Sequence, residues 1–407
     1  MNEHPKLRDI EILPVMQGKN KVLVLQDPTK ISMDSLTLPY KSIMVIKFLN
    51  GLNDIRDIQT QIMRETGELI YSDDISKLVE LLDKHYFLDN ENYHNKSKKI
   101  KEEFKNNKIR KSILAPDNIS GDCASLRKSI EDFFTLPDSS DQIQFNASDD
   151  LLEGIISPHI DFERGGACYS YVLKEIAEKC KKRKFLVLGT AHNYSDSFFS
   201  FTFKDFETPL GIAKINQSAK NNIIENLGES ITNDEFIHVF EHSIEFQVLL
   251  LQYLFQDDPD FSIIPILCGN LQENIHNMRE PLEIPEYRKV IDTLKELVIS
   301  ENMCVIAGAD LSHIGPRFRD SQQVSSNLLE IVRQEDNRVL ETIQKVDPSL
   351  FFSSIAKIRN KFRICGFAPI LAQLYIIGKC KGVPVKYCQA KDPYASVTFT
   401  AFSFYKK

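Results

Sequence analysis

The sequence predicts an α/β protein in which a small winged-helix-like domain precedes a larger domain that carries the chemistry. Three observations predict this. Short buried-strand runs, FLVLG at 185–189, FSIIPILCG at 261–269 and MCVIAG at 303–308, alternate with helix-period segments in the C-terminal part of the chain. Several of these strands run directly into histidine or aspartate, and in open α/β sheets ligands sit beyond the strand carboxyl ends. A lysine-rich stretch, KSKKIKEEFKNNKIRK at 96–111, separates this part from a shorter helical region. The expected organisation is a small domain over 1–95, a basic linker or exposed helix over 96–111, and the large domain over 112–407.

Composition narrows the class. The chain has 407 residues, 42% hydrophobic and 26% charged, as in ordinary water-soluble globular proteins. A net charge of −7 argues against a dominant nucleic-acid surface. No apolar run reaches membrane-spanning length, and the opening MNEHPKLRDIEILP lacks a signal-like apolar core, so a cytoplasmic location is expected. Eight cysteines without CxxC spacing fit reduced thiols better than a disulfide framework or zinc ribbon.

In order along the chain, KVLVL at 21–25 and Asp27-Pro28 predict a strand and turn. A helix is expected over Ile43–Leu49, stopped by Asn50-Gly51, where both residues tolerate positive φ. A second runs from Asn53-Asp54 to Gly67, and a third from Ser72 places Ile75, Leu78, Leu81 and Leu82 on one face. The helix pair is not basic, which favours peptide or partner binding over DNA reading. In the large domain a helix is expected from Ser125 to Phe134. The strand at Ile155-Ile156 then stops at Ser157-Pro158, because proline lacks the amide donor a ladder needs. His159 and Asp161 follow, with a tight turn expected at Gly165-Gly166 and a helix from Tyr171 to Glu178. FLVLG leads into His192. At helical spacing Glu241 and Glu245 would share one face, and the pattern around His242 is not HExxH, so a zincin site is not supported. MCVIAG leads into Asp310 and His313, Cys365-Gly366 opens an apolar helix over 367–377, and a last strand spans Ala395–Phe404. A thiol at a helix N-terminus meets the positive end of the dipole, which favours its thiolate.

The segments SPHIDFERGG, LGTAHNYS, ETPLG, EHSIEFQ, GADLSHIG and ICGFAPI, in this order, resemble the Memo family. With the small domain in front, the chain is most similar to the form called AmmeMemoRadiSam system protein B. This resemblance implies a sandwich like that of the class III extradiol dioxygenases, with the site at the strand ends. It implies metal-associated positions at His159, His192 and Cys365, an Asp-x-x-His motif at Asp310 and His313, and a Glu-His-Ser motif at Glu241 and His242. It also implies radical-SAM and AMMECR-type partner proteins. Two departures bear on pocket shape: Ile160-Asp161-Phe162 replaces an Ala-Gly-Tyr run, and the AGxFYP-like opening is blurred to Ile119-Ser120-Gly121-Asp122-Cys123.

Two imidazoles and a thiolate are donors suited to iron(II), copper or zinc rather than to magnesium or calcium. Three protein ligands leave positions open for water or substrate. His242, Asp310 and His313 then become the acid/base candidates. The expected function is a metal-dependent, dioxygenase-like redox enzyme acting on a small molecule or modified peptide, and the alternative is a metal-free interaction scaffold. His159, His192 and Cys365 are expected to converge on one pocket.

Overall fold

The computed structural model describes residues 4–32, 35–114, 123–144, 151–193, 197–269 and 271–407. The chain divides into two compact units, Met1–Asn107 and Lys108–Lys407.

In the first unit, β1 (Glu11–Gln17), β2 (Asn20–Gln26) and β3 (Leu36–Pro39) form an antiparallel meander. It is followed by α1 (Ile43–Ile46), α2 (Ile55–Thr66), α3 (Ser72–Lys84) and α4 (Glu91–Asn106). Leu23, Leu25, Ile58, Ile62, Ile75, Leu82 and Phe87 make its core. Asp54 and Asp57 close a capping box on α2, and Gly67 ends that helix at φ 72°. The helix expected over 43–49 lasts only one turn, because the chain turns at Gly51 (φ 81°), yet Val45, Ile46, Phe48 and Leu49 are buried as their spacing required. Of the two readings of the lysine-rich stretch, the exposed helix is the one found over most of its length. Asn90 caps α4 by accepting from the Tyr93 N–H, exposed pairs such as Lys98–Glu102 line the helix, and the helix belongs to the first unit.

The second unit begins with β4 (Ile109–Arg110) and α5 (Cys123–Glu131), then β5 (Leu152–Ser157), α6 (Phe162–Lys179) and β6 (Lys184–Thr190). Next come β7 (Phe199–Phe201), β8 (Asp205–Thr208), β9 (Gly211–Ala213), α7 (Gln217–Leu227), α8 (Ser243–Phe255) and β10 (Ser262–Cys268). The chain closes with α9 (Gln272–Asn277), α10 (Pro285–Ser300), β11 (Met303–Gly308), β12 (Asp310–Ile314), α11 (Ser326–Gln344), α12 (Pro348–Lys357), α13 (Phe367–Ile377), β13 (Cys380–Lys391) and β14 (Ser396–Lys406). Its main sheet has a parallel centre, β10-β6-β11-β5, flanked by antiparallel β7 on one side and β14 on the other. β13 occupies one edge of β14 along its whole length, so β5 and β12 share the opposite edge end to end.

Helices cover both faces, which is why the central strands read as continuous apolar runs. On one face α8 packs against Gly189 and Gly308, where an added Cβ would lie 2.5 Å from Ile244 Cγ1 and 2.4 Å from the Ser243 carbonyl oxygen. On the other, α13 packs over Gly154, and Gln373 Nε2 donates to the carbonyls of Ile155 (3.0 Å) and Val305 (2.9 Å). Gly165 and Gly166 make no turn. They lie inside α6, which starts at Phe162 rather than Tyr171, and a Cβ there would strike Ile160, Tyr169, Leu136 and Phe133. Small size for packing, not backbone freedom, is what these positions use. Glu241 precedes α8 instead of sharing a face with Glu245.

Arg110, expected at the end of a solvated linker, is fully buried in the second unit. It ion-pairs with the fully buried Glu245 and donates to the carbonyls of His238 (2.9 Å) and Glu241 (2.5 Å). Glu245 also accepts from the Ser112 hydroxyl and from the N–H groups of Ile113 and Leu114. Removing one partner of such a pair strands a buried charge. Arg110→Met is therefore expected to destabilise the second unit by about 3 kcal/mol or more, and Arg110→Met with Glu245→Leu should recover part of that. Denaturant unfolding measures both, and a loss below about 1 kcal/mol for the single variant would show the pair to be dispensable.

Candidate functional site

The parallel strands end level: Gly308 lies beside Ser157 and Gly189, and Cys268 beside Thr190. The residues that follow β5, β6 and β11 therefore meet at one edge of the sheet. Pro158 ends the first, and His159 turns inward at 3% exposure. Its backbone N–H donates to Asp310 Oδ1 (2.9 Å), and its Nδ1 lies 2.9 Å from the Gly308 carbonyl oxygen. A carbonyl can only accept, so Nδ1 carries the proton and Nε2 faces the Cys365 sulfur at 3.3 Å.

Cys365 arrives from the far end of the chain. It lies immediately before Gly366, the N-cap of α13, and two bonds hold the loop: the Gly366 N–H donates to the Asp310 carbonyl (2.9 Å), and the Thr190 hydroxyl donates to the Cys365 carbonyl (3.3 Å). His192 follows β6. Its backbone N–H donates to Glu241 Oε2 at 3.0 Å, and its Nδ1 sits 3.0 Å from Glu241 Oε1. Donor atoms of His159, His192 and Cys365 all lie within 4.8 Å of one another. The three residues that the sequence reading placed in one pocket are thus together.

His242 stacks on His192, with ring centroids 4.9 Å apart and planes 10° from parallel, and its ring edge meets His159 at 5.6 Å. The His192 and His242 side chains are 37% and 34% exposed, so they form the open side of the site. Glu241 beneath them is 3% exposed. His192, Glu241 and His242 make a second grouping whose candidate donor atoms lie within 4.8 Å. Sequence reading registered Glu241 only as part of a motif, and its hold on His192 was not seen. The available signal was a glutamate immediately before a histidine at a helix start.

Asp310 and His313 both belong to β12. Asp310 is buried and approaches His159 Nε2 at 3.7 Å. His313 is tied through Nδ1 to the Leu311 carbonyl (3.0 Å), and its ring stands edge-on to Phe318. It joins neither candidate metal grouping but stands near enough to Cys365 to feel its charge. In place of the Ala-Gly-Tyr run, Ile160 is buried, Asp161 caps α6 through the Arg164 N–H, and Phe162 packs edge-on against Phe246 at 4.9 Å. Residues 119–122 of the blurred opening motif lie outside the described residues.

Opposite charges set the protonation of this cluster. Burial works against a charged His159, but the Asp310 carboxylate and the Cys365 sulfur push its pKa up to about 9. His192 is raised in the same way, against burial, by Glu241 and Cys365. Burial alone would raise Cys365, yet the imidazoles of His159 and His313 hold it well below the ordinary thiol range. Burial pushes Asp310 up, with His159 opposing, whereas His192 and His242 hold Glu241 low despite its burial. These charges favour a thiolate at Cys365 beside a protonated His159. Cys168, Cys268, Cys304 and Cys380 are buried thiols, and burial raises Cys168, Cys268 and Cys380 while a neighbouring Cys180 sulfur and burial raise Cys304.

The profile of the family described as Memo-like protein matches residues 110–398. A MEMO1 family protein of Aquifex aeolicus is 25% identical over 367 residues, 89% of this chain and 88% of its own. That match is longer than the second unit, so it extends into the first. MEMO1 family proteins of Methanobrevibacter smithii and Metallosphaera sedula are 25% and 26% identical over 67% and 68% of this chain, and 88% and 89% of their own. With most of its length matched by the family profile, the chain belongs to the Memo-like family.

Proposed function

We propose that the second unit is a metal-dependent, dioxygenase-like enzyme in which His159, His192 and Cys365 hold one divalent transition metal, iron(II) or copper in preference to zinc. The observation that carries this reading is the state of the two imidazoles. Each has Nδ1 engaged by an acceptor, the Gly308 carbonyl or the Glu241 carboxylate, while donor atoms of both rings and the Cys365 sulfur cluster within 4.8 Å. Engaging one ring nitrogen fixes the tautomer and makes the other a better donor. A thiolate with two neutral imidazoles suits borderline and soft metals.

Bound there, such a metal would supply Lewis-acid or one-electron chemistry at the positions three protein ligands leave open. The chain's own residues supply the rest. His242, on the open side, is placed to exchange protons with a bound substrate, and His313 stands on the Cys365 side with its ring anchored by the Leu311 carbonyl. Asp310 holds the His159 backbone and balances its charge.

Three measurements test this. Protein purified without oxygen should carry about one transition-metal ion per chain by elemental analysis, and the His159→Ala, His192→Ala double variant should lose nearly all of it. Metal content unchanged in that variant would leave the scaffold reading standing. Metal affinity should also rise with pH. His159 is protonated below about 9, so the metal must displace that proton at neutral pH, and affinity should climb until His159 has titrated. A flat profile between about pH 6 and pH 9 would contradict competition at His159. Finally, after chelation Cys365 should alkylate readily, and zinc should protect it while leaving the exposed Cys123 as reactive as before. Equal protection of Cys365 with and without metal would remove it from the ligand set.

A further inference from the structure

The second grouping, His192, Glu241 and His242, has the residue types of a second metal site. Its hydrogen bonds point elsewhere. The Glu241 carboxylate accepts from the backbone N–H of His192 on Oε2 (3.0 Å), and from those of His242 (2.9 Å) and Ser243 (3.0 Å) on Oε1. The His192 ring Nδ1 lies 3.0 Å from Oε1 and 3.2 Å from Oε2. These donors fill the roughly four lone-pair positions a carboxylate offers. A cation could enter only by displacing one of these donors from the buried carboxylate.

We infer that Glu241 is a positioning residue and not a ligand: its carboxylate fixes His192 as the Nδ1–H tautomer and leaves Nε2 to a metal held with His159 and Cys365. The inference rests on the metal site proposed above. The carboxylate is held from several sides. The Arg110 guanidinium grips the Glu241 carbonyl (2.5 Å), and the Ser243 hydroxyl donates to the Thr190 carbonyl (2.9 Å), joining the start of α8 to the end of β6. The start of α8 is thereby joined to the end of β6, and the Glu241 carboxylate stays against the His192 ring.

Hydrogen-bond polarity makes the role distinguishable from simple packing. In Glu241→Gln the shape is nearly kept and one oxygen becomes an NH2. Two of the three backbone N–H groups face Oε1, so the amide oxygen belongs there, at the position 3.0 Å from His192 Nδ1, and still accepts from that ring. Glu241→Ala removes both acceptor oxygens. The proton is then no longer held on Nδ1 and favours Nε2, the atom the metal needs.

The test is nitrogen-15 NMR of histidine-labelled, metal-free protein at a pH where His192 is neutral, with zinc(II) affinity and stoichiometry measured on the same samples. His192 is expected as Nδ1–H in the natural protein and in Glu241→Gln, and as Nε2–H in Glu241→Ala, with zinc affinity in the Ala variant lower by about 10–100-fold. An unchanged tautomer in the Ala variant, or Nε2–H already in the natural protein, overturns the inference. So does binding of two zinc ions per chain, one of them lost with Glu241. If the Ala variant does not fold, the Gln variant decides, because loss of Nδ1–H while its amide oxygen remains would equally overturn the role. A tautomer that switches as expected in a protein that binds no zinc would defeat the metal reading and uphold the clamp, so the two failures are distinct.

Discussion

The level ending of the parallel ladder is the constraint on which this site depends. β10, β6, β11 and β5 are in register at their carboxyl ends, so whatever follows each strand must occupy the same narrow rim. Glycine at 189 and 308 lets the start of α8 sit directly on that rim, because any side chain there would collide with Ile244 or the Ser243 backbone. Cys365 is delivered to the same place by the loop before α13, on the opposite face of the sheet. Residues far apart in sequence meet without a long loop having to find its own shape, and rigid elements position functional groups better than free loops do.

A cluster of imidazoles, a thiolate and two carboxylates in which His159, Asp310 and Glu241 are buried is stable only if its charges compensate. Here compensation is pairwise and close. Asp310 faces His159, Glu241 faces His192, and Cys365 lies between imidazoles. The same pairing that offsets burial favours the ionised sulfur and a proton on His159. A cation entering this cluster replaces protons rather than meeting a neutral cavity, so its binding is an exchange of positive charge.

Much of this was legible from the chain. FLVLG, FSIIPILCG and MCVIAG are continuous apolar runs because both faces of the sheet are covered, and that pattern is strong. Pro158 and the polar residues after it marked where β5 stops. Legibility failed where tertiary packing overrides local signals. Gly165-Gly166 looks like a turn, but two large side chains and a neighbouring helix demand small residues inside α6. β13 escaped notice because its pairing with β14 is supplied by a partner strand and not by an alternating pattern, and β1, with Pro14 in it, reads poorly as a strand. Arg110 reads as solvated because it closes a lysine-rich run, and only the structure shows the Glu245 carboxylate that compensates it, while Glu241 reads as part of a helical face because the start of α8, two residues later, is not marked in the sequence.

Arg110 shows how stability and site geometry are joined. It lies in the short strand that opens the second unit, yet its guanidinium reaches the carbonyls of His238 and Glu241 and the carboxylate of Glu245, which precede or begin α8. The segment after it returns the bond, since Ser112, Ile113 and Leu114 also donate to Glu245. A buried ion pair of this kind adds little net stability compared with an apolar replacement, because desolvation offsets its attraction. What it does supply is direction: five donors in a planar fork admit few alternative arrangements of the three backbone and side-chain acceptors they meet. The start of α8 is thereby fixed against the beginning of the unit, and Glu241, one residue before His242, inherits that fixity. The orientation of His192 at the rim then follows from an arginine that touches no part of the candidate metal site.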